Sequence, residues 1–389
     1  MALTIVLSWS CKEELVNQPI GKGGKPEPVK SVTVTSGHGS ATLKFRLADE
    51  QAQYVLAEYE SRPGVMRNVK ASKYKDEFII DGFARAGTYP VTLYAVSEGE
   101  EKSEPTTLSV DILTPPVVEA YEQLVLKEDF GGLNVSFPND YEGDLAIDVL
   151  THDEFGKVVL ATTEYTSQKE VSFSVRGFAS EPREFFVVLR DRWENKSDTA
   201  KVALTPMFEE QLESADIKEI HLPTDTWQGH TWSGLPPRGI HYLFDGITTN
   251  ATDVFHIPNN TGVPSHFTID LGAVSKLSRF KIWMRNQEQD IFNAMAPRLF
   301  ELYGSNAPDE DGSWESWTLL GDYEMKKPSG LPRGELSAED RAAHAAGLEF
   351  SVSIDAPAVR YLRVRVKETW GILQTFSMAE LALWGVVEE

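Results

Sequence analysis

The chain has 389 residues, enough for roughly two to four domains at the usual ~100–200 residues each. Its 59 acidic against 37 basic residues give a net charge of −22, which repels phosphate backbones and anionic membrane surfaces and argues against nucleic acid as a partner. No stretch approaches the roughly 20 apolar residues of a membrane-spanning helix, and a single cysteine, Cys11, leaves no intrachain disulfide to form.

From Ala2 to Trp9 the chain is mostly apolar, Ser10 is small, and polarity begins at once after Cys11 with Lys12, Glu13 and Glu14. This resembles the end of a lipoprotein signal peptide, in which the cysteine is diacylated and becomes the mature amino terminus. It departs from the usual pattern in lacking a basic leading region and in placing Ser8-Trp9 where a Leu and a small residue are usual. An incidental cysteine near a terminus is the alternative. The run Lys12-Glu13-Glu14 resembles the acidic export signal of Bacteroidota surface lipoproteins, which implies lipidation at Cys11 and a place on the outside of the outer membrane. Asn17 to Pro28 is rich in Gly, Lys and Pro, a flexible tether. Residues 1–28 thus read as signal remnant and tether.

Strand signals begin at Val29: Val32 and Val34, then Leu43, Phe45 and Leu47, then Tyr54 and Leu56, alternating with polar residues. The run Gly87 to Val96 followed by Ser103-Glu104-Pro105 resembles the last two strands of a fibronectin type III domain. Gly82-Phe83-Ala84 ahead of Tyr89-Pro90-Val91-Thr92-Leu93 recurs as Gly177-Phe178-Ala179 ahead of Phe185-Phe186-Val187-Val188-Leu189. Two related immunoglobulin/fibronectin III-like β-sandwiches, 29–113 and 116–206, are the simplest account, with Thr114-Pro115-Pro116 as a stiff junction. Asp191 to Ser197 falls where a hairpin joins the last two strands of the second, and its Trp193 either packs against a neighbour or serves as a ligand platform. Met207 to Ile220 is polar and reads as a lead-in with little structure of its own.

The remaining block, 215–389, carries six ordered signals: Leu243-Phe244-Asp245-Gly246; Ser265 to Gly272; the alternating Leu277, Phe280, Ile282 and Met284; Phe300 to Ser305; Val359 to Val366; and Glu380 to Gly385. In this order they resemble the discoidin-like domain of the coagulation factor five/eight type C family, which includes many bacterial carbohydrate-binding modules. The resemblance implies a jelly-roll β-sandwich that binds ligands with the loops at one end. One short helix is expected inside it, since Ser337-Ala338-Glu339-Asp340 has capping-box spacing and Gly347 follows an alanine-rich run. The fold class is therefore all-β: two sandwiches, then a discoidin-like jelly roll with one short helix.

All of the nine tryptophans except Trp9 and Trp193 lie between Trp227 and Trp384. Trp283, Trp317 and Trp384 fall in strand patterns and read as packing; Trp314, beside Asp311-Gly312, is undecided. Trp227, Trp232 and Trp370 are flanked by Gly and polar residues, with His230 between the first two. An exposed indole covers the C–H face of a sugar ring while the hydroxyls stay hydrogen-bonded, although each of these indoles can equally belong to the core. If the family's topology holds, Asn259, Asn293 and Arg298 come from two further loops at the same end, supplying amides and a planar guanidinium. Calcium in the family is held by an Asp-Gly turn and a Glu near the carboxyl terminus. Here those positions are Asp245 and Glu380, with Thr248 as a further oxygen donor. The usual acidic or amide residue after the Asp-Gly pair is Ile247-Thr248 instead, so an Asx-turn at Asp245 and a salt bridge at Glu380 remain the alternative.

No Gly-x-Ser-x-Gly, His-Glu-x-x-His, phosphate loop or dinucleotide fingerprint is present, so the sequence offers no enzyme signature. Anchor, spacers and tip resemble the lipoproteins of polysaccharide-utilisation systems. That implies a non-catalytic cell-surface protein that binds a poly- or oligosaccharide, with transport or binding lipoproteins as neighbours. The alternative is an adhesive or structural protein whose tip binds another protein.

Overall fold

The computed structural model describes residues 24–48, 50–226, 239–257, 261–371 and 375–388. The elements are nearly all strands, as the period-two patterning predicts. They fall into two compact units. One takes residues up to Leu126 with Val135–Phe173 and Glu184–Ala203; the other takes Lys127–Asn134, Ser174–Arg183 and everything from Leu204 onward.

The chain begins with β1 (Lys30–Gly37), β2 (Ser40–Arg46), β3 (Ala52–Arg62), β4 (Val65–Ser72), β5 (Glu77–Asp81), β6 (Gly87–Ser97) and β7 (Thr106–Ile112). These form two antiparallel sheets, β1-β2-β5 and β4-β3-β6-β7. Inward-facing Leu43, Val55, Tyr59, Ile80, Phe83 and Leu93 fill the space between them. A helix, α1 (Pro116–Glu122), then starts where the sequence pattern indicates only a stiff junction. Pro116 occupies its first turn, where a missing N–H costs nothing and the fixed φ suits the helix.

The next seven strands are β8 (Val125–Asp129), β9 (Gly132–Pro138), β10 (Leu145–His152), β11 (Val158–Thr166), β12 (Glu170–Val175), β13 (Arg183–Asp191) and β14 (Ala200–Leu204). Their sheets, β12-β9-β8 and β11-β10-β13-β14, repeat the earlier strand order. The internal sequence repeat has a structural counterpart. After β5 the N–H of Phe83 donates to Gly39 O at 3.3 Å, and after β12 that of Phe178 donates to Gly131 O at 3.0 Å. Likewise Ser103 Oγ accepts from Ala95 N, and Ser197 Oγ from Leu189 N, both at 3.0 Å, closing the last hairpin of each set.

The polar lead-in does form structure: β15 (Glu210–Gln211) and β16 (Lys218–Ile220) each extend a sheet edge of the second unit. There follow β17 (Phe255–His256), β18 (Ser265–Trp283), β19 (Pro297–Ser305), β20 (Thr318–Glu324), α2 (Ala338–Ala346), β21 (Leu348–Ser351), β22 (Val359–Thr369), β23 (Ser377–Met378) and β24 (Glu380–Val387). The two strand signals at 265–272 and 277–284 belong to one strand. Its first half pairs with β22 and β16, its second with β24 and β21. The strand changes partners near Gly272, at φ +85°, where a Cβ would lie 2.9 Å from Asp216 O. The core of the unit holds Phe267, Ile269, Phe280, Phe300, Leu362 and Val364. The expected helix is α2: Ser337 Oγ accepts from Asp340 N at 3.1 Å, and Asp340 accepts from Ser337 N at 2.9 Å.

A second, polar core lies on the outward face of β22 and β18. Arg363 is fully buried. It donates to Thr268 Oγ1 and to Gly312 O, each at 3.1 Å, and lies 3.6 Å from Asp225. Trp314 and Trp317 cover its guanidinium at 4.6 and 4.3 Å. Trp317 is thus packed as the strand pattern suggests, and the undecided Trp314 joins it. Trp384, by contrast, holds Arg279 over its face at 4.1 Å. Burial, with the charges of Arg363 and Arg365, holds the neighbouring His266 neutral, its pKa lowered to about 4. Replacing Arg363 by Met leaves Asp225 buried without its cation. A loss of about 3–5 kcal/mol is expected in urea unfolding followed by tryptophan fluorescence; a change below about 1 kcal/mol would show that the cation contributes little.

Candidate functional site

The loop from Met284 to Ala296 is held from below. Arg285 Nε donates to Ala251 O at 2.6 Å and its Nη1 lies 3.5 Å from Asp290, both side chains being buried. Asn286 donates from its backbone to Asn250 O at 3.0 Å and from Nδ2 to Thr249 O at 2.9 Å. Above these anchors Phe292 and Ala294 both adopt left-handed φ values, +45° and +43°, and Asn293 stands between them. Such conformations are uncommon for residues other than glycine and persist only where the surroundings enforce them. Here the surroundings are Trp370, Gly371 and Ser377: Trp370 N donates to Ala296 O at 2.9 Å, Gly371 N to Ala294 O at 2.9 Å, and Ser377 N to Met295 O at 3.0 Å. A Cβ on Gly371 would lie 2.2 Å from Ala294 O, so this approach of two backbones requires glycine.

Of the residues expected to bind ligand, the structure brings Arg298 and Trp370 into contact, while Asn293, on the loop bonded to the chain at 370–371, lines a cavity that neither of them lines. Trp370 is half-buried, with its ring edge-on to Phe292 at 5.7 Å, and Arg298 lies over it at 5.5 Å. Arg298 is paired with Glu324 at 3.6 Å and Glu368 at 3.8 Å. The indole is therefore partly a packing residue, and its buried Nε1 has no hydrogen-bond partner among the described residues. Asn293 lines a cavity of about 370 Å³ with Glu288, Gln289, Leu336 and Arg341. Local spacing could not have indicated Arg341, which α2 brings in from far along the chain. His256 and Ile257 are tied into the same region, since Ile257 N donates to Phe376 O at 3.0 Å and His256 pairs with Ser377. Trp227, His230, Trp232, Asn259 and Cys11 lie outside the described residues.

Asp245 and Glu380 meet at one turn. Asp245 Oδ1 accepts from Ile247 N at 2.8 Å, an Asx-turn, and Glu380 Oε2 accepts from Gly246 N at 3.1 Å. Thr248 follows in the same turn, half-buried. Glu380 is buried, and burial together with the charge of Asp245 raises its pKa to about 8. Among the described residues no group of three or more His, Cys, Asp or Glu side chains is placed to hold a metal. Two adjacent carboxylates, one out of water, nonetheless need a proton or a cation between them, and an all-oxygen donor set suits calcium.

The raised pKa sets a sign. Folding favours the protonated Glu380, so this contribution to stability is full below about pH 4.5 and is lost as pH rises through 8. Without divalent cations, stability is expected to fall by a few kcal/mol across that window, and Glu380→Gln to flatten the slope. Thermal melts against pH with a chelator check this; an unchanged slope in the variant would remove Glu380 as its source.

Three domain families match the chain, each described as a domain of unknown function: DUF4959 over residues 26–112, DUF5126 over 113–215 and DUF5000 over 244–385. No curated protein matches the sequence. Among solved structures, a SusE-like protein is 34% identical, covering 70% of this chain and 100% of that one, with a TM-score of 0.45. The C-terminal domain of a chitobiase from Bacteroides fragilis is 15% identical, covering 46% of this chain and 100% of that one at a TM-score of 0.33. A two-domain fibronectin type III segment of chicken tenascin is 18% identical, covering 46% and 99% at 0.23. The sequence identity over the full length of the first of these is what assigns the family: the chain belongs to the SusE-like proteins, with fibronectin III-like domains.

Proposed function

We propose that this protein is a non-catalytic, surface-exposed glycan-binding lipoprotein of a polysaccharide-utilisation system, anchored in the outer membrane through Cys11. In this reading the fibronectin III-like domains are spacers, the carboxyl-terminal domain is the discoidin-like tip, and neighbouring transport or binding lipoproteins complete the assembly. SusE-like membership supports the setting. The observation that carries the binding role is the contact of Arg298 on β19 with Trp370, beside the Asn293 loop, which is locked to the chain at 370–371 by backbone hydrogen bonds. A preformed site loses little conformational freedom when a ligand arrives. An amide, a guanidinium and the edge of an indole suit the alternating hydroxyl and C–H surfaces of a sugar. Trp227, His230, Trp232 and Asn259 would complete the site. Calcium at Asp245 and Glu380, with Thr248 nearby, would neutralise the paired carboxylates and stiffen the turn beside Asn286; added calcium would then abolish the loss of stability above pH 5.

A glycan array probed with the full chain tests the binding role. Asn293→Ala is expected to leave the melting temperature unchanged, because the hydrogen bonds at Asn293 come from its backbone, and to weaken binding about tenfold. Trp370→Ala is expected to weaken binding and also to cost about 2 kcal/mol of stability, roughly half the value for a fully buried Trp. Silence across the array, with capture of a protein partner that Asn293→Ala weakens, would replace this reading with adhesion.

A further inference from the structure

The first unit has two cavities of its own, of about 400 and 340 Å³, within the ~300–1,000 Å³ range of ligand pockets. They share Asp144, Asp191 and Arg192. The larger has a simple origin in strand register. Ala146 on β10 stands directly opposite Tyr165 on β11 and Arg190 on β13, so a methyl group lies between two long side chains and leaves a trough on that face of the sheet. Arg190 Nη2 donates to Tyr165 Oη at 3.3 Å across it. Tyr165 as a residue is nevertheless 70% exposed, with the Arg190 guanidinium 5.8 Å from its ring centroid. Beyond Arg192, which lies over the Trp193 ring at 4.3 Å, the second cavity runs on toward His38. Trp193 packs closely on Gly82, where a Cβ would lie 3.2 Å from its Cδ1.

The charges define the ligand. Arg190 is paired with Asp148 at 3.0 Å and Glu194 at 3.1 Å, and Arg192 with Asp81 at 3.5 Å and Asp144 at 3.7 Å. Four carboxylates against two guanidinium groups leave no spare positive charge for an acidic ligand. They do leave planar donors and acceptors beside an exposed aromatic ring. We propose that this trough is a second saccharide site, taking a neutral sugar chain with one ring stacked on Tyr165 and hydroxyls held by Asp144 and Arg192. The site rests on the glycan-binding role proposed above and is separate from the Asn293 site.

Affinity electrophoresis of the full chain tests it, in gels containing galactomannan, xyloglucan, amylopectin or yeast mannan, with pectin as the acidic control. Tyr165 and Arg192 are exposed, so Tyr165→Ala and Arg192→Ala are expected to melt like the parent protein. Each should weaken retardation by at least one neutral polymer about tenfold, the change that 1.4 kcal/mol of lost stacking or hydrogen bonding corresponds to. Combined with Asn293→Ala, Tyr165→Ala should weaken binding more than either alone, because a long polymer engages both sites. Retardation lost in Asn293→Ala but unchanged in Tyr165→Ala and Arg192→Ala overturns the second site and leaves the first. The reverse pattern keeps the second and removes the first. Stronger retardation by pectin than by every neutral polymer, or retardation by none of the gels, also overturns the second site.

Discussion

The second unit depends on one strand with two sets of partners in its eight-stranded sheet. In β18, residues 265–270 pair with β22 and 218–220 of β16 pair with its residues 268–270, while residues up to 283 pair with β24 and β21. The two sets of partners are thereby joined covalently, and a shift in register on one side would be carried into the other. Gly272 makes this possible, because its left-handed backbone and close approach to Asp216 O leave no room for a side chain. The two candidate sites inherit their positions from this strand. Its end at Trp283 leads into the loop that carries Asn293, and Ala379, next to Glu380, donates to Trp283 O at 2.8 Å.

A polar cluster on an outward sheet face is an expensive way to pack, and its hydrogen bonds offset part of that cost. Asp225 accepts from Leu222 N and Thr268 Oγ1, while Arg363 donates to Thr268 and Gly312 between two indoles. The carboxylate and guanidinium offset only part of each other's burial penalty, and do so only while those hydrogen bonds hold. The turn at Asp311-Gly312 is thereby tied to the sheet, since Gly312 O accepts from both Arg363 and Thr224. The segments of the proposed binding site and the Asp311-Gly312 turn are thus secured by different means in the same unit: backbone contacts of 294–296 with 370, 371 and 377, buried charge at 225 and 363.

Much of the architecture was legible in the sequence because it follows from local rules. Alternation marked the strands, Ser337 to Asp340 marked α2, and the repeated Gly-Phe-Ala marked two sets of strands with the same order. The missed elements have physical causes. Helix α1 is too short for periodicity to reveal, and β15 and β16 are polar because they lie at sheet edges, where burial asks little of their side chains. The break between Gly272 and Leu277 resembles the end of a strand in sequence, yet hydrogen bonding continues on both sides of it.

For the sites the division is sharper. The sequence by itself determined which residue types were available: Asn293, Arg298 and Trp370 in polar surroundings, Asp245 and Glu380 at opposite ends of one block. Only the tertiary structure decided that Trp370 lies edge-on to Phe292 under Arg298, that Arg341 reaches the cavity beside Asn293, and that Tyr165, Ala146 and Arg190 align across three strands. Side-chain alternation is a property of one strand and is written in its own residues. Register between strands, and the close approach of two loops, are relations between segments far apart in the chain, set by the packing of the whole unit and by no local pattern.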